Sequence, residues 1–132
     1  MSDAYGRFGL ARTYAMIFGV AYLGVALTEV LTRDALAPVL EFTVAQNAIH
    51  WAVGALVLGS FFAGEGAARL VARIVGVVFV LVTALGVLAP RALGDLLGYP
   101  GGIPVSYNVV HALTAIAALY AGLATRPARS AA

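Results

Sequence analysis

The chain has 132 residues, of which 62% are hydrophobic and 11% are charged. Soluble domains have about 45–50% apolar and about 25% charged residues, so this composition excludes an ordinary soluble domain and favours a membrane protein. The absence of Cys excludes disulfides and thiolate metal ligands, and a net charge of +2 with no Lys argues against a nucleic-acid partner.

Four apolar runs follow one another along the chain, at residues 12–32, 42–64, 67–89 and 104–125. Each is close to the ~20 residues that cross a hydrocarbon core of about 30 Å. Backbone groups in lipid must form hydrogen bonds within their own segment, so each run is predicted to be a helix. We therefore predict an all-α, multi-pass four-helix bundle in the cell (inner) membrane, with residues 1–132 as a single transmembrane domain.

The connections between the runs differ in length. The turn around Gly64 is very short, so helices 2 and 3 are predicted to form an antiparallel hairpin. Pro90 is predicted to stop helix 3, and residues 92–97 to form an interfacial piece rich in turns. Pro104 is well placed as a first-turn residue of helix 4.

The placement of Arg predicts the orientation of the bundle. Six of the eight Arg fall on one side of the predicted spans, and the other two fall on the opposite side. The positive-inside rule then places the N- and C-termini in the cytoplasm. The six are Arg7, Arg12, Arg69, Arg73, Arg126 and Arg129, and the two are Arg33 and Arg91.

The start of the first run recurs in the third run with a constant shift. The matching residues are Ala11-Arg12, Ala15, Ile17 and Gly19-Val20 in the first run, and Ala68-Arg69, Ala72, Ile74 and Gly76-Val77 in the third. This pattern predicts two tandem two-helix repeats, related by a pseudo-twofold axis along the membrane normal. The small residues spaced four apart in both copies are typical of close helix packing in lipid.

Each second helix of the predicted repeats opens with the same polar tetrad, Asn47-Ala48-Ile49-His50 in one and Asn108-Val109-Val110-His111 in the other. The repeat predicts that His50 and His111 lie in the same, outer, leaflet at similar depth. Both are about two helical turns from the membrane interface. These four polar residues form the predicted outer-leaflet cluster.

Glu29 lies near the same level, three residues before the end of helix 1. Its counterpart in helix 3 is about Gly86, so the carboxylate breaks the predicted symmetry. An ionisable group at this depth is a functional-site hypothesis because leaving it unpaired is unfavourable. Glu29 therefore joins the predicted cluster.

Three hypotheses account for the cluster. In the first, the His and Asn side chains hydrogen-bond between helices and have a structural role. In the second, His50 and His111 ligate haem b axially, or bind a divalent metal together with Glu29. In the third, His50, His111 and Glu29 carry protons or a small solute.

The Asn-x-x-His opening of helices 2 and 4, with the Ala-Arg…Ile-x-Gly-Val start of helices 1 and 3, resembles a known family. It is the bacterial four-helix membrane protein family known as domain of unknown function 4383. The resemblance covers about residues 11–124 and implies a four-helix integral membrane protein. It places Asn47, His50, Asn108 and His111 in the shared motif, and it implies no established activity and no catalytic residues.

These observations favour a small integral membrane protein without enzymatic activity, with no catalytic residues and no cofactor. We expect a structural or accessory component that associates with itself or with a larger membrane complex. The expected partners are the lipid bilayer and further copies of the chain or other membrane subunits. The alternatives are a haem- or metal-binding protein that uses His50 and His111, and a transporter of protons or small solutes.

Overall fold

A computed structural model describes residues 8–32 and 42–124. The described part contains four long helices and one short helix, and the long ones are long and apolar enough to cross a membrane. The predicted set of four membrane-length apolar helices is thereby confirmed. The helices are α1 Leu10–Leu31, α2 Val44–Ala63, α3 Glu65–Leu88, α4 Pro90–Leu97 and α5 Val105–Leu123.

The observed helix boundaries differ from the predicted ones by one or two residues. At several of them a capping residue sets where the helix begins. The Thr43 hydroxyl accepts a hydrogen bond from the backbone N–H of Gln46 at 3.1 Å, so α2 begins after Thr43. Pro104 is the N-cap of α5 and not a first-turn residue. Gly64 alone separates α2 from α3, with a φ of +111° that favours glycine, so α3 begins at Glu65.

The segment after α3 is more regular than predicted, because Pro90 opens the eight-residue helix α4. Gly98 ends α4 in the left-handed conformation, and the N–H of Tyr99 bonds to the Gly94 carbonyl at 2.7 Å. A small apolar core then forms between α4 and the loop that follows it. Its buried members are Leu93, Leu97, Tyr99 and Ile103.

The long helices pack as two antiparallel hairpins. α1 packs mainly against α2, and α3 packs mainly against α5, while α3 also contacts both α2 and α1 and so joins the two hairpins. Ala residues on α1 and α3 are fully buried in the shared core, namely Ala11, Ala15, Ala68 and Ala72. Small side chains let helices approach closely, which is the main source of packing energy in lipid.

One glycine in each hairpin lies at a close approach between two helices. A Cβ added to Gly19 would lie 2.7–2.8 Å from backbone and Cβ atoms of Leu58 on α2. A Cβ added to Gly76 would lie 2.6–3.0 Å from atoms of Leu119 on α5. The predicted small-residue positions therefore contact the partner helix of their own hairpin.

The N-terminus of α1 is capped by a residue distant in sequence. One Glu65 carboxylate oxygen accepts the N–H of Ala11 and the other accepts the N–H of Arg12, each at 3.0 Å. These N–H groups have no partner within the helix, and a carboxylate is favourable at this positive end. The sequence did not predict this contact, because Glu65 is more than 50 residues away.

Arginines bind the last turns of α2 and α5 at the same end of the bundle. The Arg12 Nε donates to the Phe61 carbonyl at 2.9 Å, and the Arg73 Nε donates to the Gly122 carbonyl at 2.8 Å. The Arg12 guanidinium also lies 4.7 Å from the Phe61 ring centroid. Carbonyls in the last turn have no helical partner, so each Arg stabilises a helix end.

Replacing Glu65 with Ala is expected to lower the free energy of unfolding by about 1–2 kcal/mol, because the α1 N–H groups lose their acceptor. Hydrogen exchange at the amides of Ala11 and Arg12 measures the loss directly. The control is Arg69→Gln, which breaks only a half-exposed 3.9 Å ion pair with Glu65 and should change little. Equal effects of the two substitutions would contradict the capping role.

Several residues behind the predicted orientation lie outside the described part of the chain. They are Arg7, Arg33, Arg126 and Arg129, and the connection over residues 33–41 lies outside it as well. We refer below to the turn end of the bundle, which carries Gly64, and to the α4 end, which carries α4.

Candidate functional site: a polar and aromatic cavity

The first hairpin brings together three of the predicted cluster residues. Glu29, which is 7% exposed, lies on α1 and faces Asn47 and His50 on α2. One carboxylate oxygen pairs with His50 Nδ1 at 2.7 Å, and the other accepts a hydrogen bond from Asn47 Nδ2. Asn47 also donates to the Ala26 carbonyl at 3.0 Å. Both oxygens of the buried carboxylate are thereby bonded to side chains of α2.

The second hairpin carries a similar backbone contact but has no carboxylate at that place. Asn108 Nδ2 donates to the Thr83 carbonyl at 3.1 Å. Gly86 lies directly opposite, where an added Cβ would be 2.2 Å from Asn108 Oδ1. Asn108 Oδ1 and His111 Nδ1 are buried and have no hydrogen-bond partner among the described residues. The two predicted tetrads therefore lie in different electrostatic surroundings.

His50 and His111 line one cavity of about 300 Å³. Its walls come from the four long helices and from Phe42, which precedes α2. None of the described lining residues is Arg, Asp or Glu. They are Phe18, Ala21, Tyr22, Val25, Phe42, Gln46, His50, Phe79, Tyr107, Val110, His111 and Thr114.

Aromatic rings connect the two imidazoles across this cavity. The Tyr22 ring lies 6.2 Å from the His50 ring, and the Phe79 ring lies 5.7 Å from the His111 ring, measured between centroids. Tyr22 and Phe79 stack on each other at 6.4 Å with an interplanar angle of 24°. The imidazoles are therefore linked through two other rings, an arrangement that the sequence did not predict.

The α4 end of the cavity is covered by a second set of contacts, which we call the roof. Phe42 stacks on Tyr107 at 6.1 Å, and its edge meets the His50 ring at 5.6 Å. The Tyr99 hydroxyl donates to Gln46 Oε1. Together these residues close the bundle between α2, α5 and the loop after α4.

Gln46 and Phe79 belong to this site but were not predicted from the sequence. Gln46 directly precedes Asn47, and a third polar side chain at the start of an apolar helix is a recognisable feature. Phe79 has no such feature, because an aromatic residue in an apolar helix can face the lipid as well as the interior. Its position depends on how α3 turns toward α1.

Comparison of this chain with family models, with curated proteins and with solved structures finds no match. Within the described residues, no group of three or more His, Cys, Asp or Glu side chains is arranged to hold a metal ion. The function is therefore inferred from the geometry of the cavity and of the two hairpins.

Proposed function

We propose that this protein is a small integral membrane protein without enzymatic activity, an accessory component that associates with itself or with a larger membrane complex. The observation that carries the proposal is the use of Glu29, whose two oxygens bond to Asn47 and His50 across a helix interface. Polar side chains that form hydrogen bonds between helices stabilise helix packing, which supports a structural role. The outer surfaces of the spans are apolar, as lipid or partner helices require.

The native mass of the purified protein tests this proposal. Membranes from the native cell are solubilised in a mild detergent, and the tagged protein is measured by light scattering with the detergent contribution subtracted. We expect a particle that holds more than one 13.5 kDa chain, or one that retains a second membrane protein. A monodisperse single chain without any associated protein would contradict the accessory role.

We further propose that the two hairpins are tandem repeats. Asn47 donates to the Ala26 carbonyl in one hairpin, and Asn108 donates to the Thr83 carbonyl in the other. Gly19 and Gly76 each contact the second helix of their own hairpin. These parallels support a pseudo-twofold axis along the membrane normal. The resemblance to domain of unknown function 4383 stays a prediction.

We propose that the termini and the turn end are cytoplasmic, and that the α4 end faces out of the inner membrane. Since the chain has no Cys, single cysteines report on each side. Asp95→Cys, on an exposed position of α4, should react with a membrane-impermeant maleimide on intact cells. Gly66→Cys, at an open position beside the turn, should react only after permeabilisation. The reverse pattern would overturn the orientation.

Haem or metal binding by His50 and His111 is the alternative function, and the side chains fit it less well. Both Glu29 oxygens are already bonded, which leaves two imidazoles, whereas catalytic zinc sites have three protein ligands. A cavity of about 300 Å³ is at the bottom of the range for small-molecule sites, and a four-ring macrocycle needs more space.

The absorption spectrum and metal content of the same purified sample test the alternative. We expect no Soret band and no stoichiometric metal in protein from cells supplied with haem precursor and metals. A Soret band that disappears in both His50→Ala and His111→Ala would favour the haem alternative. Proton or solute transport is the second alternative, and pH-dependent flux in vesicles, lost in the same variants, would support it.

A further inference from the structure

We propose that the cavity binds the headgroup of a lipid-soluble quinol or quinone, a single ring that carries oxygen atoms on opposite sides. This inference goes beyond the accessory role, and it concerns binding alone. It rests on the size of the cavity, the aromatic residues that line it and the polar atoms of two histidines on different helices.

The position of the cavity suits a ligand that arrives from the lipid. α2 and α5 both line it, yet these two helices make no extensive contact with each other, and the cavity is only partly enclosed. The roof covers the α4 end, where Phe42 stacks on Tyr107. The gap between α2 and α5 therefore offers a lateral entrance, through which an isoprenoid tail can extend into the bilayer.

The size and the walls of the cavity suit one flat ring. About 300 Å³ is at the small end of the volumes that hold organic ligands, which favours a monocyclic headgroup over a sterol or a macrocycle. Phe42, Tyr22 and Phe79 present aromatic rings around this space, and aromatic rings stack favourably on one another. No Arg, Asp or Glu is among the described lining residues, so a neutral ligand is favoured over an anion.

His50 can bond to an oxygen of such a ligand. Its Nδ1 is held by Glu29 at 2.7 Å, which fixes the orientation of the ring and leaves Nε2 available. A carboxylate partner on one nitrogen of an imidazole also sets the tautomer at the other. With Nδ1 bonded to the carboxylate, Nε2 is the ring nitrogen left to form a hydrogen bond with an oxygen of the ligand.

His111 supplies the second polar group, from α5. The residue is 8% exposed and lines the cavity, and its Nδ1 is buried with no partner among the described residues. Because Nδ1 is covered by neighbouring protein atoms, a ligand in the cavity would bond to the other ring nitrogen, Nε2, which is not among the fully covered atoms. Two imidazoles on helices that do not pack together match a ligand with two oxygens better than a ligand with one.

Fluorescence titration with decylubiquinone and its quinol tests the proposal in detergent-purified, full-length protein. The chain contains a single Trp, Trp51, which directly follows His50 and serves as the reporter that the quinone quenches. We expect saturable quenching by the wild-type protein. We expect His111→Ala to weaken the affinity at least tenfold, because one of two hydrogen bonds to the ring oxygens is lost.

A cavity-filling variant keeps the test decisive if His111→Ala does not fold. Ala21 lines the cavity, so Ala21→Phe should abolish saturable quenching while leaving both histidines in place. Ala55→Phe adds the same ring at an exposed position of α2 outside the cavity and should bind as the wild type does. Circular dichroism and a monodisperse elution profile establish that each variant is folded.

Three results would overturn the proposal. The first is an absence of saturable quenching in the wild-type protein. The second is equal affinity in Ala21→Phe and Ala55→Phe, which would place the quinone on the outer surface. The third is displacement of the quinone by cholesterol or oleate at equal concentration, which would make the cavity a general apolar site. None of these results bears on the native mass, so the accessory role is tested separately.

Discussion

Replacing Gly19 with Ala is expected to destabilise the first hairpin strongly. The added Cβ would lie 2.7 Å from the Leu58 Cβ and 2.8 Å from its Cα and N atoms. Backbone atoms cannot rotate away as a side-chain tip can, so α1 and α2 would have to separate. Overpacking of this kind costs about 1–3 kcal/mol, and thermal unfolding of the detergent-solubilised protein measures it.

Gly24→Ala is the matched control for this substitution. Gly24 lies on the same helix, and a Cβ added there has no neighbouring atom within 4 Å. Ala is favoured over Gly within a helix by about 0.5–1 kcal/mol, so the control should be unchanged or slightly stabilised. If Gly19→Ala unfolds at the same temperature as Gly24→Ala, close packing at this position does not hold the hairpin together.

Replacing Glu29 with Ala is also expected to lower the free energy of unfolding strongly. The substitution leaves Asn47 without one of its two acceptors and His50 Nδ1 without its partner, within the same interface. Leaving a buried donor without its acceptor typically costs about 1–3 kcal/mol, and two donors lose an acceptor here. Glu29→Gln keeps an acceptor oxygen and the shape of the side chain, so it should cost distinctly less.

A double-mutant cycle separates the contribution of the Glu29–His50 pair from general effects of the mutation. Glu29→Ala, His50→Ala and the double variant are unfolded under identical conditions, with Asp95→Ala as a control at an exposed acid of α4. We expect the two single effects to add up to more than the effect of the double variant. Strict additivity would contradict direct coupling, and a large effect of Asp95→Ala would indicate a nonspecific loss of charge.

The positions of polar residues in the sequence predict at which level of the bundle the cluster around Glu29 lies. The tetrads that contain Asn47 and Asn108 point to one level of the bundle, because each opens a long apolar run. The matched shift of the runs also assigns Gly86 to the place that Glu29 has in the first hairpin. In the structure Gly86 faces Asn108, while Glu29 bonds to Asn47. Sequence spacing carries this information because helical rise is constant.

The partners of these groups depend on helix rotation and tilt. Glu65 binds the amides of Ala11 and Arg12, and nothing local to Glu65 indicates a partner more than 50 residues away. Phe79 and Tyr22 stack between the two histidines only because α3 and α1 turn those faces toward each other. An apolar helix in lipid gains similar transfer energy in any rotation, so composition does not select the inward face.

The amino-acid sequence by itself determined four helices of membrane length and the level of the two tetrads, because a backbone in lipid must bond to itself. Only the tertiary structure decided that His50 is held by a carboxylate and that His111 Nδ1 has no partner among the described residues. It also decided that both rings line one cavity. The reason is steric, since close contacts at Gly19 and Gly76 set how the helices meet and thus which side chains face each other.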